Sequence, residues 1–264
     1  MSMTQVVSEM EERIRTADRI SLFLDFDGTL VPIAVDPASP RLDSRAHETL
    51  RMLLDRESLV TTILSGRAVE DLYGRIQLPG FIYAGNHGLE IFGRDLRFVE
   101  PVAAGRSKQL EKLCDELAAD LRPFAGAQVE FKGLTASIHY RRAADEDFPA
   151  IKRAVHSAVA RTGDLFRLNC GRKVFEVMPH INWHKGAAVR WINGQLTAGT
   201  DASHSLLSVC LGDDTSDEEA FAALPDAITI KVGDGLRSRA RYQLKDPAAV
   251  HEFLRRLATQ DTWL

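Results

Sequence analysis

Two aspartates that could take part in phosphoryl transfer lie two residues apart near the start of the chain. Asp25 and Asp27 occur in the string LDFDGTL at residues 24–30, after residues 20–24, which are apolar apart from Ser21. Such a segment, with β-branched and aromatic side chains, is typical of a buried strand. Asp25 is therefore expected at a strand's carboxyl end, where open parallel sheets bind their ligands.

The chemistry that this pair could perform follows from its charge. Two carboxylates so close together repel each other unless a cation or a proton offsets them. One aspartate as nucleophile, a second to move a proton and a Mg²⁺ ion to hold both would suit phosphoryl transfer through an aspartyl-phosphate. The alternative is a surface turn closed by Asp27 and Gly28.

Two other polar groups stand at positions suited to bind phosphate. Ser65-Gly66-Arg67 closes the apolar residues 59–64, and a hydroxyl with backbone N–H groups at a helix N-terminus can bind phosphate oxygens; a helix N-cap by Ser65 is the alternative. Lys185 opens a helical segment, where the macrodipole disfavours a cation. That position indicates an anion nearby, unless the lysine is simply exposed.

A dense acidic cluster follows the apolar residues 206–211. The string GDDTSDE at residues 212–218 places Asp213, Asp214 and two further acids between this segment and a helix. Acidic caps explain one or two of them. Four acids at another strand's carboxyl end favour a site for Mg²⁺, a hard cation that prefers oxygen ligands.

Strands and helices alternate in the two terminal parts of the chain, which carry these residues. We expect strands at 20–24, 59–64, 81–84, 206–211 and 227–232, and helices at 44–56, 69–76, 184–193, 215–223 and 248–257. This alternation predicts an α/β fold with a parallel sheet and right-handed crossovers.

The middle of the chain has a different order, α-β-β-α-β-β. We expect helices at 108–121 and 148–160 and strands at 128–131, 135–140, 165–168 and 173–177. Such a unit forms its own antiparallel sheet. The prediction is a core in two parts, 1–100 and 181–264, with an α+β cap domain inserted at 101–180.

Composition excludes several classes of function. The chain has 264 residues, 45% of them hydrophobic, and a net charge of −4, which argues against binding to nucleic acid or an acidic membrane. Its N-terminus is too polar for a signal peptide, and no apolar run approaches the ~18 residues of a membrane span. The three cysteines lack metal-ligand spacing, so we expect reduced thiols in a cytoplasmic protein.

Taken in order, the four polar motifs resemble those of the haloacid dehalogenase-like (HAD) phosphatases. The resemblance implies a HAD-like Rossmannoid core, and the insertion between serine and lysine matches the position of a C2-type cap. By position it makes Asp25 the nucleophile, Asp27 the general acid/base, and Ser65 and Lys185 the phosphate-binding residues. The implied Mg²⁺ ligands are Asp25, Asp27, Asp213 and Asp214.

Further strings are GNHGLE at residues 85–90, EFK at 130–132, HYR at 139–141 and GRKVFEVMP at 171–179. With the acidic string, they resemble those of the trehalose 6-phosphate phosphatases within that superfamily, and the resemblance runs over about residues 20–255. The resemblance implies a substrate-binding set, to which the SGR motif adds Gly66 and Arg67: Asn86, His87, Glu130, Lys132, His139, Arg141, Arg172, Lys173 and Glu176. Two positions depart from the family pattern. Ser216 replaces a threonine and keeps the hydroxyl, whereas Met178 stands where an arginine is frequent, so this position is not assigned to substrate.

The expected function is therefore hydrolysis of trehalose 6-phosphate with Mg²⁺, by a monomer whose only partner is a small sugar phosphate. Other phosphatases of the same fold, acting on sucrose 6-phosphate or mannosyl-3-phosphoglycerate, are alternatives. A sugar phosphomutase and a non-catalytic sugar-phosphate sensor are two more, although a sensor needs no nucleophile.

Overall fold

The computed structural model of the protein describes residues 3–171, 173–199, 205–234 and 237–259. The chain divides into two compact units. The first comprises residues 1–97 and 183–264, and the second comprises Phe98–Asn182, where the sequence placed a cap at 101–180.

The first unit is built on a mostly parallel sheet. Its helices and strands are α1 (Met3–Thr16), β1 (Arg19–Leu24), α2 (Ser44–Leu53), β2 (Leu59–Leu64), α3 (Val69–Ile76), β3 (Ile82–Gly85), β4 (Glu90–Gly93) and β5 (Leu96–Val99). The second unit then supplies α4 (Pro101–Leu121), β6 (Gln128–Phe131), β7 (Ala136–His139), α5 (Phe148–Ala160), β8 (Phe166–Gly171) and β9 (Val174–Pro179). The chain returns with α6 (Lys185–Thr197), β10 (Leu206–Gly212), α7 (Thr215–Ala223), β11 (Ile228–Val232), β12 (Tyr242–Leu244) and α8 (Pro247–Thr259).

The strand order of the first sheet is β12-β11-β10-β1-β2-β3-β4-β5. Strands β12 through β3 are parallel, and β4 is antiparallel to β3. Register aligns Leu24 of β1 with Leu211 of β10 and Ile63 of β2. The residues that follow these strands therefore leave the sheet at one edge.

Helices cover both faces of this sheet. Ile20, Leu22 and Leu24 of β1 point into a core shared with α2, α3 and α8, whereas the hydroxyl of Ser21 between them donates to the side chain of Asn193 on α6. Because side chains alternate along a strand, α6 lies on the opposite face. A sheet buried on both faces explains why its strands read as nearly continuous apolar runs.

The second unit has a separate core. Its antiparallel strands follow the order β6-β7-β9-β8, and α4 and α5 pack against one face of them through residues such as Leu117, Ile138, Ile151 and Val177. The predicted fold class, an α/β core with an α+β insertion, is confirmed. No helix in the described part of the chain is long and apolar enough to cross a membrane.

Candidate active site

The carboxylate of Asp25 is buried against the ammonium of Lys185. Asp25 directly follows β1, and its backbone N–H donates to the carbonyl of Leu211 in β10. Lys185, the first residue of α6, is 1% exposed, so it is not the exposed lysine of the simpler interpretation. Its Nζ donates to Oδ1 of Asp25 at 2.8 Å and to Oδ1 of Asp217 at 2.7 Å. The anion expected near this helix N-terminus is thus a pair of carboxylates.

The local structure of the acidic string positions Asp217. Asp214 is the N-cap of α7 and forms a capping box with Asp217, a reciprocal arrangement that satisfies exposed N–H groups at a helix start. One carboxylate oxygen of Asp217 accepts the backbone N–H of Asp214 at 2.9 Å. The other oxygen accepts from Lys185. Asp217 is thereby fixed by the helix start and joins it to the buried ammonium.

Asp213 completes the group from the end of β10. Its Oδ1 is buried and accepts no hydrogen bond from the described residues. Its carboxylate lies against Gly28, whose φ of +90° suits glycine and where an added Cβ would collide with the Asp213 side chain. The glycine of the DGT string is therefore required both by its backbone conformation and by the space that Asp213 occupies.

Burial makes these carboxylates difficult to ionise. It raises the pKa of Asp25 well above its ordinary value, an effect that Lys185 opposes and that Asp217 and Asp213 reinforce. Burial, followed by repulsion from Asp217 and Asp214, raises the pKa of Asp213 to about 7. The pKa of Lys185 is raised in turn, because two carboxylates outweigh the burial that would lower it. If all three carboxylates ionise, the site therefore has more negative charge than Lys185 offsets.

A divalent cation fits this excess of negative charge. Carboxylate oxygens of Asp25, Asp213 and Asp217 lie within 4.8 Å of one another, and Oδ1 of Asp213 is an orphaned buried acceptor. An all-oxygen donor set is the kind that Mg²⁺ prefers. The residues present are thus compatible with Mg²⁺.

The three carboxylates that lie together are not the same set of residues as the predicted Mg²⁺ ligands. Asp25 and Asp213 belong to this group, but Asp217, which was not assigned to the metal, takes a place in it. Asp214 accepts hydrogen bonds from Thr215 at the start of α7, and Asp27 pairs with Arg67. For Asp27 and Asp214 a role as metal ligands stays a prediction.

The guanidinium of Arg67 is occupied by carboxylates. It donates to both oxygens of Asp27, through Nε at 2.5 Å and Nη2 at 2.8 Å, and through Nη1 to Asp71 at 2.9 Å. Burial opposes these pairs, but they raise the pKa of Arg67 above its ordinary value. The sequence assigned Arg67 to substrate, whereas its hydrogen-bond partners here are protein groups.

Ser65 directly follows β2 but does not cap a helix. The helix α3 begins at Val69 with Ala68 as its N-cap, so the N-cap alternative is wrong. The hydroxyl of Ser65, which is almost fully buried, accepts the backbone N–H of Arg67 at 3.3 Å. The N–H of Val69 donates to the carboxylate of Glu90, so that part of the expected helix-start phosphate site is already satisfied.

Asn86 and His87 form a strained turn after β3. Both have positive φ, 49° and 58°, and both are buried, Asn86 completely. The Asn86 amide donates to Glu90 at 2.7 Å. Because Glu90 also accepts from the start of α3, it fixes this turn against the helix; Asn86 is engaged in that structure.

In the second unit, several residues of the predicted sugar-binding set share one face of the antiparallel sheet. Register aligns Glu130 with Ser137, and Ser137 with Glu176, while His139 lies two residues beyond Ser137 on the same strand. Nε2 of His139 lies 2.8 Å from Oε2 of Glu130. Since side chains alternate along strands, these polar groups point away from the core formed with α4 and α5.

The remaining predicted residues of this unit lie at strand ends. Lys132 and Arg141 follow β6 and β7, and Lys173, in the β8–β9 turn, pairs with Asp145 at 2.9 Å. Arg172 lies outside the described residues. Met178 is buried and accepts a hydrogen bond from Asn169 at its sulfur; its exclusion from the substrate set stays a prediction.

The amino-acid sequence matches one family model and is similar to known proteins. A family model described as trehalose-phosphatase matches residues 23–247. A trehalose-phosphate phosphatase of Mycobacterium tuberculosis (strain H37Rv) is 37% identical over 246 residues, 91% of this chain and 61% of that protein. A second, from Mycobacterium leprae, is 36% identical over 93% of this chain and 59% of its own length. The chain thus spans about three fifths of these curated relatives.

The fold also has solved counterparts. The C-terminal domain of trehalose-6-phosphate phosphatase from Candida albicans superposes with a TM-score of 0.80 at 23% identity, covering 96% of each chain. At that identity the likeness establishes the shared fold.

Proposed function

Since this chain belongs to the trehalose-phosphatase family, we propose that it is a Mg²⁺-dependent phosphatase that hydrolyses trehalose 6-phosphate to trehalose and phosphate. The observation that carries the proposal is the buried carboxylate of Asp25, which faces Lys185 after the end of β1. A nucleophile held by a cation suits an anionic substrate, because the charge of the transferred phosphoryl group must be offset throughout the reaction.

The reaction has two halves that use the same pair of aspartates. In the first, a carboxylate oxygen of Asp25 attacks phosphorus, the bond from phosphorus to the sugar oxygen breaks, and Asp27 gives a proton to that oxygen. In the second, Asp27 takes a proton from water, whose oxygen attacks phosphorus, and the bond to Asp25 breaks. Phosphate leaves, and both aspartates return to their starting states.

Lys185 and Ser65 support this chemistry without changing covalently. Lys185 opposes the effect of burial on Asp25, so it favours the ionised carboxylate that attack requires. Its hydrogen bond to Oδ1 fixes the orientation of that carboxylate. The hydroxyl of Ser65, at the end of the neighbouring strand β2, is assigned to bind a phosphoryl oxygen.

Mg²⁺ would be held by Asp25 and Asp213, with Asp217 as the third carboxylate of the group. Asp27 and Asp214 remain candidates from the sequence. When bound, the ion supplies positive charge to the phosphoryl oxygens.

Sugar recognition is assigned to the second unit. Glu130, His139 and Glu176 share a polar face, and Lys132 and Arg141 follow its strands. Carboxylates, ammonium and guanidinium groups together supply acceptors and donors for a substrate rich in hydroxyls. The enzyme would act in the cytoplasm as a monomer, without nucleic acid or membrane partners.

The test is phosphate release from a panel of sugar phosphates, with and without Mg²⁺. We expect release from trehalose 6-phosphate only when Mg²⁺ is present, and none above a few per cent from Asp25→Asn, whose amide is a poor nucleophile. A preference for sucrose 6-phosphate or mannosyl-3-phosphoglycerate would contradict the substrate assignment. Activity that requires a bisphosphate activator would indicate a mutase, and binding without turnover would indicate a sensor.

A further inference from the structure

The proposed general acid/base lies on a turn that does little to orient it. Asp27 follows β1 by three residues, and its side chain is 34% exposed. The turn itself is closed by backbone hydrogen bonds between Gly28 and Val31 and between Val31 and Phe26, none of which involves the carboxylate. Without a further partner, this side chain would distribute among rotamers.

Arg67 supplies that partner in a geometry that fixes both oxygens. Its Nε and Nη2 donate to Oδ2 and Oδ1 of Asp27 at 2.5 and 2.8 Å, a bidentate pair that sets the plane of the carboxylate. The guanidinium lies over the ring of Phe26, 5.5 Å from its centroid. The Arg67 side chain is only 12% exposed, so solvent screens this pair weakly.

Arg67 is itself held by a second layer of charges. Nη1 donates to Asp71, one turn further along the chain, and Asp71 also accepts from Arg75 at 2.8 Å. The Arg75 side chain is 8% exposed. This Arg67–Asp71–Arg75 ion-pair network joins the general acid/base to the helix α3.

The same ion-pair network binds the loop between β1 and α2. Nη2 of Arg67 donates to the carbonyl of Pro37 at 2.9 Å, and Nη1 of Arg75 donates to that of Pro40 at 2.6 Å. A loop without regular structure is thus fastened to α3 by the two arginines that flank Asp71. The ion-pair network therefore connects Asp27, α3 and this loop through hydrogen bonds.

We propose that Arg67 is a positioning residue for Asp27, held in place by Asp71 and Arg75, and that it acts in the step in which the leaving sugar oxygen is protonated. Each Asp27 oxygen accepts one hydrogen bond from Arg67 and keeps a second lone pair, which carries the proton that Asp27 took from water in the preceding turnover. The inference rests on the proposed function, because it assigns Asp27 the role of general acid. It replaces the assignment of Arg67 to direct substrate binding. Arginine is required because the donors of lysine all lie on one freely rotating nitrogen, which cannot form the two parallel hydrogen bonds that fix a carboxylate plane.

The consequence is a dependence on the leaving group. A sugar alkoxide leaves poorly unless it is protonated, whereas p-nitrophenolate leaves well without a proton. A misplaced general acid therefore slows phosphoryl transfer from a sugar phosphate far more than from p-nitrophenyl phosphate. A residue that contacts the transferred phosphoryl group would affect both substrates by the same factor.

The experiment compares kcat/KM for trehalose 6-phosphate and p-nitrophenyl phosphate in Arg67→Lys and Arg67→Met. General acid catalysis contributes about 10²–10⁴-fold, so a loosened acid should lower kcat/KM for the sugar phosphate by about 10–100-fold, and for p-nitrophenyl phosphate by less than about threefold. Asp71→Asn should act in the same direction with a smaller effect. Circular dichroism checks that each variant folds. If the Arg67 variants do not fold, Asp71→Asn still tests the inference.

Arg51→Met is the matched control, because Arg51 forms a bidentate pair with Glu48 on the exposed surface of α2. Both substrates should keep their wild-type kcat/KM in this variant. Equal losses for both substrates in the Arg67 variants would overturn the inference, and so would no loss for either. Failure of the wild type to hydrolyse any sugar phosphate would instead overturn the proposed function.

A double-mutant cycle gives a second readout. If Arg67 acts through Asp27, adding Arg67→Lys to Asp27→Asn should not lower kcat/KM for the sugar phosphate further. Additive losses would show that Arg67 acts independently of Asp27 and contradict the inference.

Discussion

At the scale of single residues, the candidate active site carries unbalanced charge when its carboxylates are ionised. The ammonium of Lys185 bonds to Asp25 and Asp217, while Oδ1 of Asp213 is buried without a hydrogen-bond donor among the described residues. An unmatched buried carboxylate destabilises the folded state whenever it is ionised. The protein therefore tolerates this arrangement best when a proton or a cation is present.

Asp213 should make the metal-free protein less stable as pH rises. Burial and neighbouring carboxylates raise its pKa to about 7 from an ordinary 3.8, so between those values the folded state holds more protons than the unfolded chain. The free energy of unfolding then falls with increasing pH through this range. Urea unfolding at pH 5 and pH 8 with a chelator measures the loss, which added Mg²⁺ should reduce at pH 8.

The variant Asp213→Asn isolates this contribution. The amide cannot ionise, so the variant should lose less stability between the two pH values than the wild type. Mg²⁺ should also stabilise it less, because a ligand that binds the folded state stabilises that state by an amount that grows with the logarithm of its affinity. An identical pH dependence in both proteins would contradict the raised pKa.

Single residues also show what sequence reasoning can reach. Asp25 and Lys185 were identified because each stands where a strand ends or a helix begins. Asp217 was missed as a metal-site residue, since an acid at the third position of a helix is already explained by a capping box. The pairing of Arg67 with Asp27, 40 residues away, depends on side-chain geometry that no local pattern contains.

At the scale of elements, periodicity predicted most helices and strands well. The bounds of β2, α3, β6, α5 and α7 agree with the expected segments because each combines an apolar pattern with a clear boundary. Among the described residues, four of these labelled elements were missed: α1, β4, β5 and β12. β12 has three residues, too few to show a period. β4 and β5 have four residues each, as many as β6, so their length alone does not explain why they were missed.

The turn after β1 should tolerate no side chain at Gly28. Its φ is +90°, and a Cβ would collide with the carboxylate of Asp213. Gly28→Ala should therefore lower stability by roughly 1–3 kcal/mol and raise the Mg²⁺ concentration needed for activity. Thermal unfolding and a Mg²⁺ titration of turnover measure the two effects.

Gly163→Ala is the control for that substitution. Gly163 also has a positive φ, +62°, but an added Cβ would meet no atom within 4 Å, so the variant carries backbone strain without a collision. It should show a smaller loss of stability and an unchanged Mg²⁺ requirement. If both variants behaved alike, the close approach of Asp213 to the turn would have no functional importance.

At the scale of the whole molecule, chemistry and recognition are assigned to different units. Asp25, Lys185 and Asp213 belong to the first unit, and Glu130 and Glu176 to the second, each unit with its own core. Sequence could predict this division because the order of elements changes in the middle of the chain. No sequence pattern specifies which sugar hydroxyl each polar group binds.

If the two units have these different roles, substitutions in each unit should change kcat/KM for the two substrates differently. Glu176→Ala should lower kcat/KM for trehalose 6-phosphate by about ten- to a hundredfold, since a lost hydrogen bond to a charged group costs roughly 1.5–3 kcal/mol. Hydrolysis of p-nitrophenyl phosphate, which has no sugar, should change little. Lys185→Ala should harm both substrates comparably, because it removes the cation that faces the nucleophile. Equal losses for both substrates in a folded Glu176→Ala would show that the second unit does not recognise the sugar, and the trehalose assignment would then rest on family membership alone.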